Sequence, residues 1–411
     1  MPARHMPVRP NLEFLRNESK DLLKSIRSNN SSALSELQTL HPKPSTPQLA
    51  KLSDAQLVLA RSYGIPSWNR LVLSCRLIDA IWRDDIETVR QMLIDRPKLI
   101  HENARATESC NWGRPMSYAA NLGRDGIIRM LHEMNATDLQ HAFDRACLQG
   151  RLDTARLLHS MGARPVPGCV MGPCETLNSS GLTFLLELGA ELKDGHGDPL
   201  APVGLILQTY SRNPKGKHRC LDIVAEHGIV LPDTPAMAVH RGRIDLLEKQ
   251  LIDDPELLNR TFAHSDFYPT EVGCHEDESM ALIGTPIVGG TLLHLAVEYD
   301  EIEVARWLIS KGMDVNKKAE VNSEGFGGHT ALYGCVVSQV YAATCRRDDL
   351  FARLLLENGA DTQVRASLRK QLRDSADNMM HEYRNITPYE WGAKFQVQDF
   401  VNPSVMKLIS G

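Results

Sequence analysis

The sequence predicts an all-α protein: an array of helix–turn–helix units behind a small helical cap. Two observations carry that prediction. First, the stretch Gly290–Gly312, GTLLHLAVEYDEIEVARWLISKG, divides into two short apolar-periodic segments joined by a turn. Ala296 sits in the first segment, and Ile302, Ala305, Leu308 and Ile309 form one face of the second at i, i+3, i+6, i+7 spacing. Gly312 closes it, where a left-handed residue is cheap only for glycine. Second, weaker copies recur on both sides, as they must, because one such helix pair cannot bury its apolar face alone.

The copies run along most of the chain. Arg114-Pro115-Met116-Ser117-Tyr118-Ala119-Ala120 leads to Ile128 and Leu131, and Ala146 and Gly150 lead to Ala155, Leu158, Gly162 and Ala163. Ala238 and Gly242 lead to Leu247 and Leu251, and Thr330-Ala331-Leu332 leads to Leu355, Leu356, Gly359, Ala360 and Asp361. A first copy lies around Ala80, Ile86, Val89 and Leu93, and a last around Thr387-Pro388-Tyr389. Thr291-Leu292-Leu293-His294-Leu295-Ala296 resembles the T-P-L-H-x-A start of an ankyrin repeat, and Gly312-Met313-Asp314-Val315-Asn316 resembles that family's G-A-D-V-N ending. The resemblance implies an ankyrin solenoid of eight or nine units from Asp79 onward. It also implies that His294 and Thr291 hold the turn of their repeat by hydrogen bonding.

Ahead of the array, residues 1–10 are proline-rich and basic and read as a flexible arm. Leu12, Leu15, Leu22, Leu23 and Ile26 mark an amphipathic helix, and a second helix is expected over Ser31–Leu40. His41-Pro42-Lys43-Pro44-Ser45-Thr46-Pro47 cannot be helical. Residues 53–64 form a helix ending at Gly64, followed by Pro66-Ser67-Trp68. That block resembles the segment that precedes ankyrin repeats in many bacterial proteins. Its physical role is to cover the apolar face of the first repeat. The expected organisation is therefore arm and cap over 1–70, degenerate repeats over 71–232, and repeats with long insertions over 233–411.

Within the array the connections change character. Ala119 to Ala146 spans 27 positions, shorter than the ~33 of a full ankyrin unit. The stretch 166–218 is irregular, with second helices expected at Leu182–Leu188 and Leu221–Glu226, a first helix at Val203–Tyr210, and a loop at Ser211–Lys217. Further on, Ala238 to Ala296 spans 58 positions, so residues 259–289 hold an insertion. Residues 317–329 carry Gly325, Gly327 and Gly328, which read as hairpin-tip glycines. That run lacks the Lys-Ser/Thr of a phosphate loop. Val340–Arg347 adds another insertion, and 362–386 forms a long loop of mixed charge. Long loops without periodicity in a compact array are usually functional or disordered. The three at 259–289, 317–329 and 362–386 are expected to line one surface.

Composition narrows the function classes. Hydrophobic content of 42% and charged content of 24% are ordinary for a soluble chain, and a net charge of −5 gives no case for nucleic acid. Nine cysteines without regular spacing read as reduced thiols. No apolar run approaches the ~20 residues a membrane helix needs, and MPARHMPVRP lacks a signal-peptide core. The expectation is a cytoplasmic protein with no membrane association and no cofactor.

The densest polar set is His264, Asp266, Tyr268, Glu271, Cys274, His275, Glu276, Asp277 and Glu278. A metal or acid–base site could draw on His264 and Asp266, which share a face if extended, with Cys274 and His275 as softer donors. The spacing matches no zinc framework, so no metal is expected, and the plainer reading is a solvated acidic recognition loop. His264, Asp266, His275, Glu276 and His329 are the catalytic candidates. Asp266, Phe267, Tyr268, Glu271, Trp112 and His381 are the binding candidates, Trp112 because exposed aromatics dominate recognition energetics. The leading expectation is a module that recognises a protein partner through its concave face and the C-terminal loops. The alternative is an enzyme or a small-molecule or metal-binding protein with its site in the groove between those loops.

Overall fold

The structure, a computed structural model, describes residues 4–107, 111–276, 284–344, 346–372 and 379–410. The chain divides into two compact units, Met1–Arg164 and Pro165–Gly411.

The first unit opens with the helical cap, Leu12–Arg27, Ser31–Leu40 and Leu52–Ser62. Asn11 caps the first of these helices by accepting from the amides of Glu13 and Phe14. The periodic residues Leu15, Leu22 and Ile26 meet Leu37, Val58 and Leu59 in a closed core. The arm before it departs from expectation, because residues 4–10 are tied down. Arg4 reaches Ser62 Oγ (2.7 Å) and Glu36 (3.1 Å), Met6 is buried, and Arg105 donates to the Met6 carbonyl at 2.7 Å. Tyr118 donates to the Val8 carbonyl, and Arg9 pairs with Asp79 while lying over the Trp82 ring. The arm's basic residues find carboxylates and an aromatic face, and these anchors outweigh its lack of periodicity. Three helix pairs follow, Trp68–Trp82 with Ile86–Asp95, Pro115–Leu122 with Asp125–Glu133, and Leu139–Leu148 with Leu152–Ser160.

The second unit holds six more pairs. These are Met171–Glu175 with Ser179–Glu187, Ala201–Gln208 with Pro214–Glu226, Pro235–His240 with Ile244–Asp253, Leu292–Glu298 with Ile302–Ser310, Ala331–Val336 with Leu350–Glu357, and Pro388–Lys394 with Pro403–Ile409. The second helix expected to start at Leu221 starts at Pro214. Asn213 caps it by accepting from the Gly216 amide, and Pro214 occupies its first turn, where a missing N–H costs nothing. Lys217 is therefore helical and buried rather than a loop residue. Residues 362–386 also differ from the expected loop. Ala366–Gln371 and Met380–Ile386 form an antiparallel two-stranded hairpin, an addition to an otherwise helical array. Val340–Arg347 contains a short helix, Gln339–Thr344. Among the described residues no helix is long and apolar enough to cross a membrane.

Candidate functional site

The insertion between the fourth-last and third-last helix pairs is anchored at both ends. The Phe262 amide donates to the Gly290 carbonyl (2.9 Å), and the Gly289 amide to the Phe262 carbonyl (2.8 Å). One helical turn, His264–Phe267, follows, with Asp266 accepting from the Ala263 amide at 2.7 Å. Residues 270–274 then lie directly on helix Ala201–Gln208. A Cβ on Gly204 would stand 1.9 Å from the Gly273 carbonyl oxygen, so the contact needs a glycine there. Gln208 fixes the exit, its side-chain amide bonding both the N–H and the C=O of His275 (2.7 and 3.1 Å).

This placement redistributes the predicted residues. Phe267 and Tyr268, expected as contact residues, turn into the core. Tyr268 donates to the Tyr299 hydroxyl at 2.7 Å, and Tyr299 donates to the Leu207 carbonyl at 2.7 Å. Their apolar area has more to gain inside than on a loop tip. Asp266, Glu271, His275 and Glu276 remain exposed. His264 donates through Nε2 to the His275 carbonyl (3.0 Å) and stacks at 5.0 Å on Tyr268. Cys274 is buried, and burial pushes its thiol up to about 12, which keeps it protonated. Among the described residues no group of three or more His, Cys, Asp or Glu side chains is arranged to hold a metal ion. His264, Asp266, Cys274 and His275 each bond or bury separately. Asp277 and Glu278 lie outside the described residues. Trp112 packs 4.8 Å from Tyr118. His381 accepts from Gln396 at 2.8 Å, on the strand Met380–Ile386, where it pairs with Lys370.

The three inserted segments come together. Glu320 N–H donates to the Gly289 carbonyl (2.9 Å), and Gly327 exchanges two hydrogen bonds with Ser367 (2.7 and 3.2 Å). Between them lies an open cleft of about 640 Å³. His264, Tyr268 and Glu276 line it from the first segment along with Ile287–Gly289, Glu320–Asn322 and Phe326 from the second wall, and Ser367–Gln371 and Met380 from the hairpin. Val321 (61% exposed) and Met380 (52%) form an apolar rim. Arg369 pairs with Glu324, and its guanidinium lies over the Phe326 ring.

His294 and His329 lie beneath this cleft, and His329 reaches its wall. His294 Nδ1 accepts from the Thr291 amide at 3.0 Å, and its Nε2 donates to the His329 carbonyl at 3.2 Å. The turn is therefore held as the resemblance implied. His329 Nε2 donates to the Pro286 carbonyl at 2.7 Å, while its buried Nδ1 has no hydrogen-bond partner. Burial, and for His294 also the neighbouring His329, depress the rings to about 3 and about 4 respectively. The unfolded chain takes up these protons near 6.5 and the native chain does not. Both rings therefore add stability above that pH, and it is lost as pH falls from about 6.5 toward 4, at about 1.4 kcal/mol per pH unit for each ring. Asp144, raised by burial to about 6, works in the opposite direction. The ring-proton resonances of His294 and His329 should keep their neutral positions down to pH about 5. Titration of either near 6.5 in the folded chain would contradict this assignment.

A buried ionic network, which the sequence did not reveal, anchors the segment before helix Pro214–Glu226. The Arg212 guanidinium bonds Glu298 Oε1 (2.5 Å) and the carbonyls of Glu298, Thr209 and Ser211 (2.7, 2.6 and 2.9 Å), and it lies over the Tyr299 ring. Lys217 Nζ sits 3.4 Å from that ring's centroid and donates to His240 Nδ1 (2.6 Å). His240 Nε2 donates to the Phe267 carbonyl at 3.0 Å. Desolvation holds Lys217 and His240 well below their ordinary values. The only available signal was an Arg and a Lys in a segment read as a loop.

A family model for the ankyrin repeat matches residues 288–317, the same unit that the sequence pattern picked out. That unit matches the ankyrin repeat, and further helix pairs flank it. Among solved structures the chain is similar to the human ASB11 ankyrin repeat domain, with 16% identity over 72% of this chain and 98% of that one and a TM-score of 0.25. Among curated proteins none matches.

Proposed function

We propose that the chain is a protein-binding module whose contact surface is the cleft of the second unit and its rim. Ankyrin repeats are generally protein-interaction modules. The observation that carries the reading is the convergence of three separate insertions on one cleft with an exposed apolar rim, Val321 and Met380. Exposed apolar side chains gathered at one concavity mark interaction sites more often than scattered ones do. Asp266, Glu271 and Glu276 add exposed carboxylates on the first segment. In the full-length chain, Val321→Glu with Met380→Glu should weaken capture of its partner at least about tenfold by burying charge in the interface. Unchanged circular dichroism would show that the fold is intact. Undiminished capture by the double variant would sink the proposal.

A second reading, a small-molecule or catalytic site in the same cleft, draws on its volume, which lies in the range typical of ligand pockets. His264, Glu276 and His329 stand at its walls. Native mass spectrometry of the purified chain tests it. A stoichiometric adduct lost in His264→Ala would support this reading, and a bare mass would count against it.

A further inference from the structure

The strand Ala366–Gln371 has one edge that is fully committed. It pairs antiparallel with Met380–Ile386, and the ladder continues where the Leu372 amide donates to the Met379 carbonyl at 3.1 Å. Along a strand, the N–H and C=O of alternate residues point to opposite edges. Leu372, Lys370 and Leu368 therefore address the partner strand, and Ser367 and Arg369 address the other side. Ser367 is satisfied there by Gly327, in an isolated bridge of two hydrogen bonds. Arg369 comes two residues later, where the chain opposite has already turned away. The Gly325 amide bonds the Asn322 carbonyl (2.9 Å), and the Asn322 amide bonds the Phe326 carbonyl (2.8 Å). Among the described residues, the outward N–H and C=O of Arg369 have no backbone partner on this edge.

That edge faces the cleft. Five consecutive residues, Ser367 to Gln371, line it. Side chains that alternate between faces cannot all do so, but a strand's backbone edge can. The opposite wall offers no competing peptide groups at its nearest point. The Gly289 amide is bonded to the Phe262 carbonyl, and the Gly289 carbonyl accepts from Glu320. The cleft thus presents one strand edge with a pairing already started at Ser367 and an apolar rim, Val321 and Met380.

We propose that the cleft binds an extended segment of a partner protein, which adds as a strand to the edge of 366–371 at Arg369 and sets its apolar side chains against the rim, Val321 and Met380. The inference rests on reading the cleft as a protein-binding site. Main-chain hydrogen bonds supply affinity in this mode, and pockets for alternate side chains supply selectivity. A linear peptide with apolar residues at every second position has the complementary chemistry: its backbone meets the outward N–H and C=O of Arg369, and its alternating side chains meet the apolar rim.

Phage-displayed random linear peptides are selected on the full-length chain, and the tightest one is synthesised and titrated by fluorescence anisotropy. Two variants separate backbone from side chain. Arg369→Ala keeps the N–H and loses the ion pair with Glu324, whereas Arg369→Pro removes an N–H that the hairpin does not use, a substitution tolerated on strand edges. The peptide should bind Arg369→Ala within about threefold of wild type and Arg369→Pro at least about tenfold more weakly. N-methylation of the peptide should abolish binding at the position that pairs with Arg369 and not at its two neighbours. Should Arg369→Pro fail to fold, the N-methyl scan on the wild-type chain decides alone. Equal binding by wild type and Arg369→Pro, equal losses in the two variants, tolerance of N-methylation throughout, or selection of no peptide would each overturn strand addition. Retention in Arg369→Pro with loss in Val321→Glu/Met380→Glu would sink strand addition and leave the cleft as the binding site; retention in both would sink both.

Discussion

Arg212→Ala is expected to destabilise the second unit by about 3–5 kcal/mol, the cost of leaving one partner of a buried ion pair alone. Arg212 and Glu298 have side chains only 1% exposed, so water cannot replace the lost partner. Without the guanidinium, the Glu298 carboxylate would face a core in which its Oε2 already has no hydrogen-bond partner. The carbonyls of Thr209, Ser211 and Glu298 would lose their donor at the same time. Arg212→Met combined with Glu298→Leu should recover much of the loss, because removing both charges also removes the desolvation penalty. Urea unfolding followed by circular dichroism measures all three proteins. A loss below about 1 kcal/mol in Arg212→Ala would show that the pair is not the anchor described, since surface pairs have that size.

Gly327→Ala should cost about 2–4 kcal/mol, combining backbone strain with a clash that cannot relax locally. Gly327 has φ +125°, and a Cβ there would stand 1.9 Å from the Glu320 carbonyl oxygen. Either Glu320 moves, losing its hydrogen bond to Gly289, or Gly327 moves, losing its bridge to Ser367. Both movements open the cleft. Gly359→Ala is the contrast, with φ +85° but no atom within 4 Å of the added Cβ. It should cost about 1 kcal/mol from conformation alone. Hydrogen exchange of 319–329 and 366–372 should accelerate in Gly327→Ala and not in Gly359→Ala. Equal effects in the two variants would contradict the close approach at Gly327.

The helical array was legible because its signals are local. Apolar spacing along Ile302–Ile309 and a glycine at 312 suffice to place a helix and its end, and the match at 288–317 falls on that unit. The second helix of the 201–226 pair was placed seven residues late, because Lys217 and His218 look solvent-bound until their buried partners are known. Those partners lie far along the chain, Lys217 on Tyr299 and His218 on Glu301. The burial of Phe267 and Tyr268 escaped for a related reason. Their environment is made by helix Ala201–Gln208 and by Tyr299, and no local pattern reports it. The hairpin at 366–386 escaped because its strands are dominated by polar side chains rather than by apolar alternation. The three segments around the cleft could be singled out by length, but their meeting depends on contacts such as Gly289 to Glu320 and Gly327 to Ser367.

The most direct measurement of the central claim is site-specific photo-crosslinking in the full-length chain. A benzophenone amino acid replaces Val321 or Met380 at the cleft rim, and Val230 or Ile252 as still more exposed apolar positions elsewhere in the second unit. Binding through the cleft predicts that both rim positions capture the same protein while Val230 and Ile252 do not. Capture of that protein from Val230 or Ile252, with none from Val321 and Met380, would contradict it.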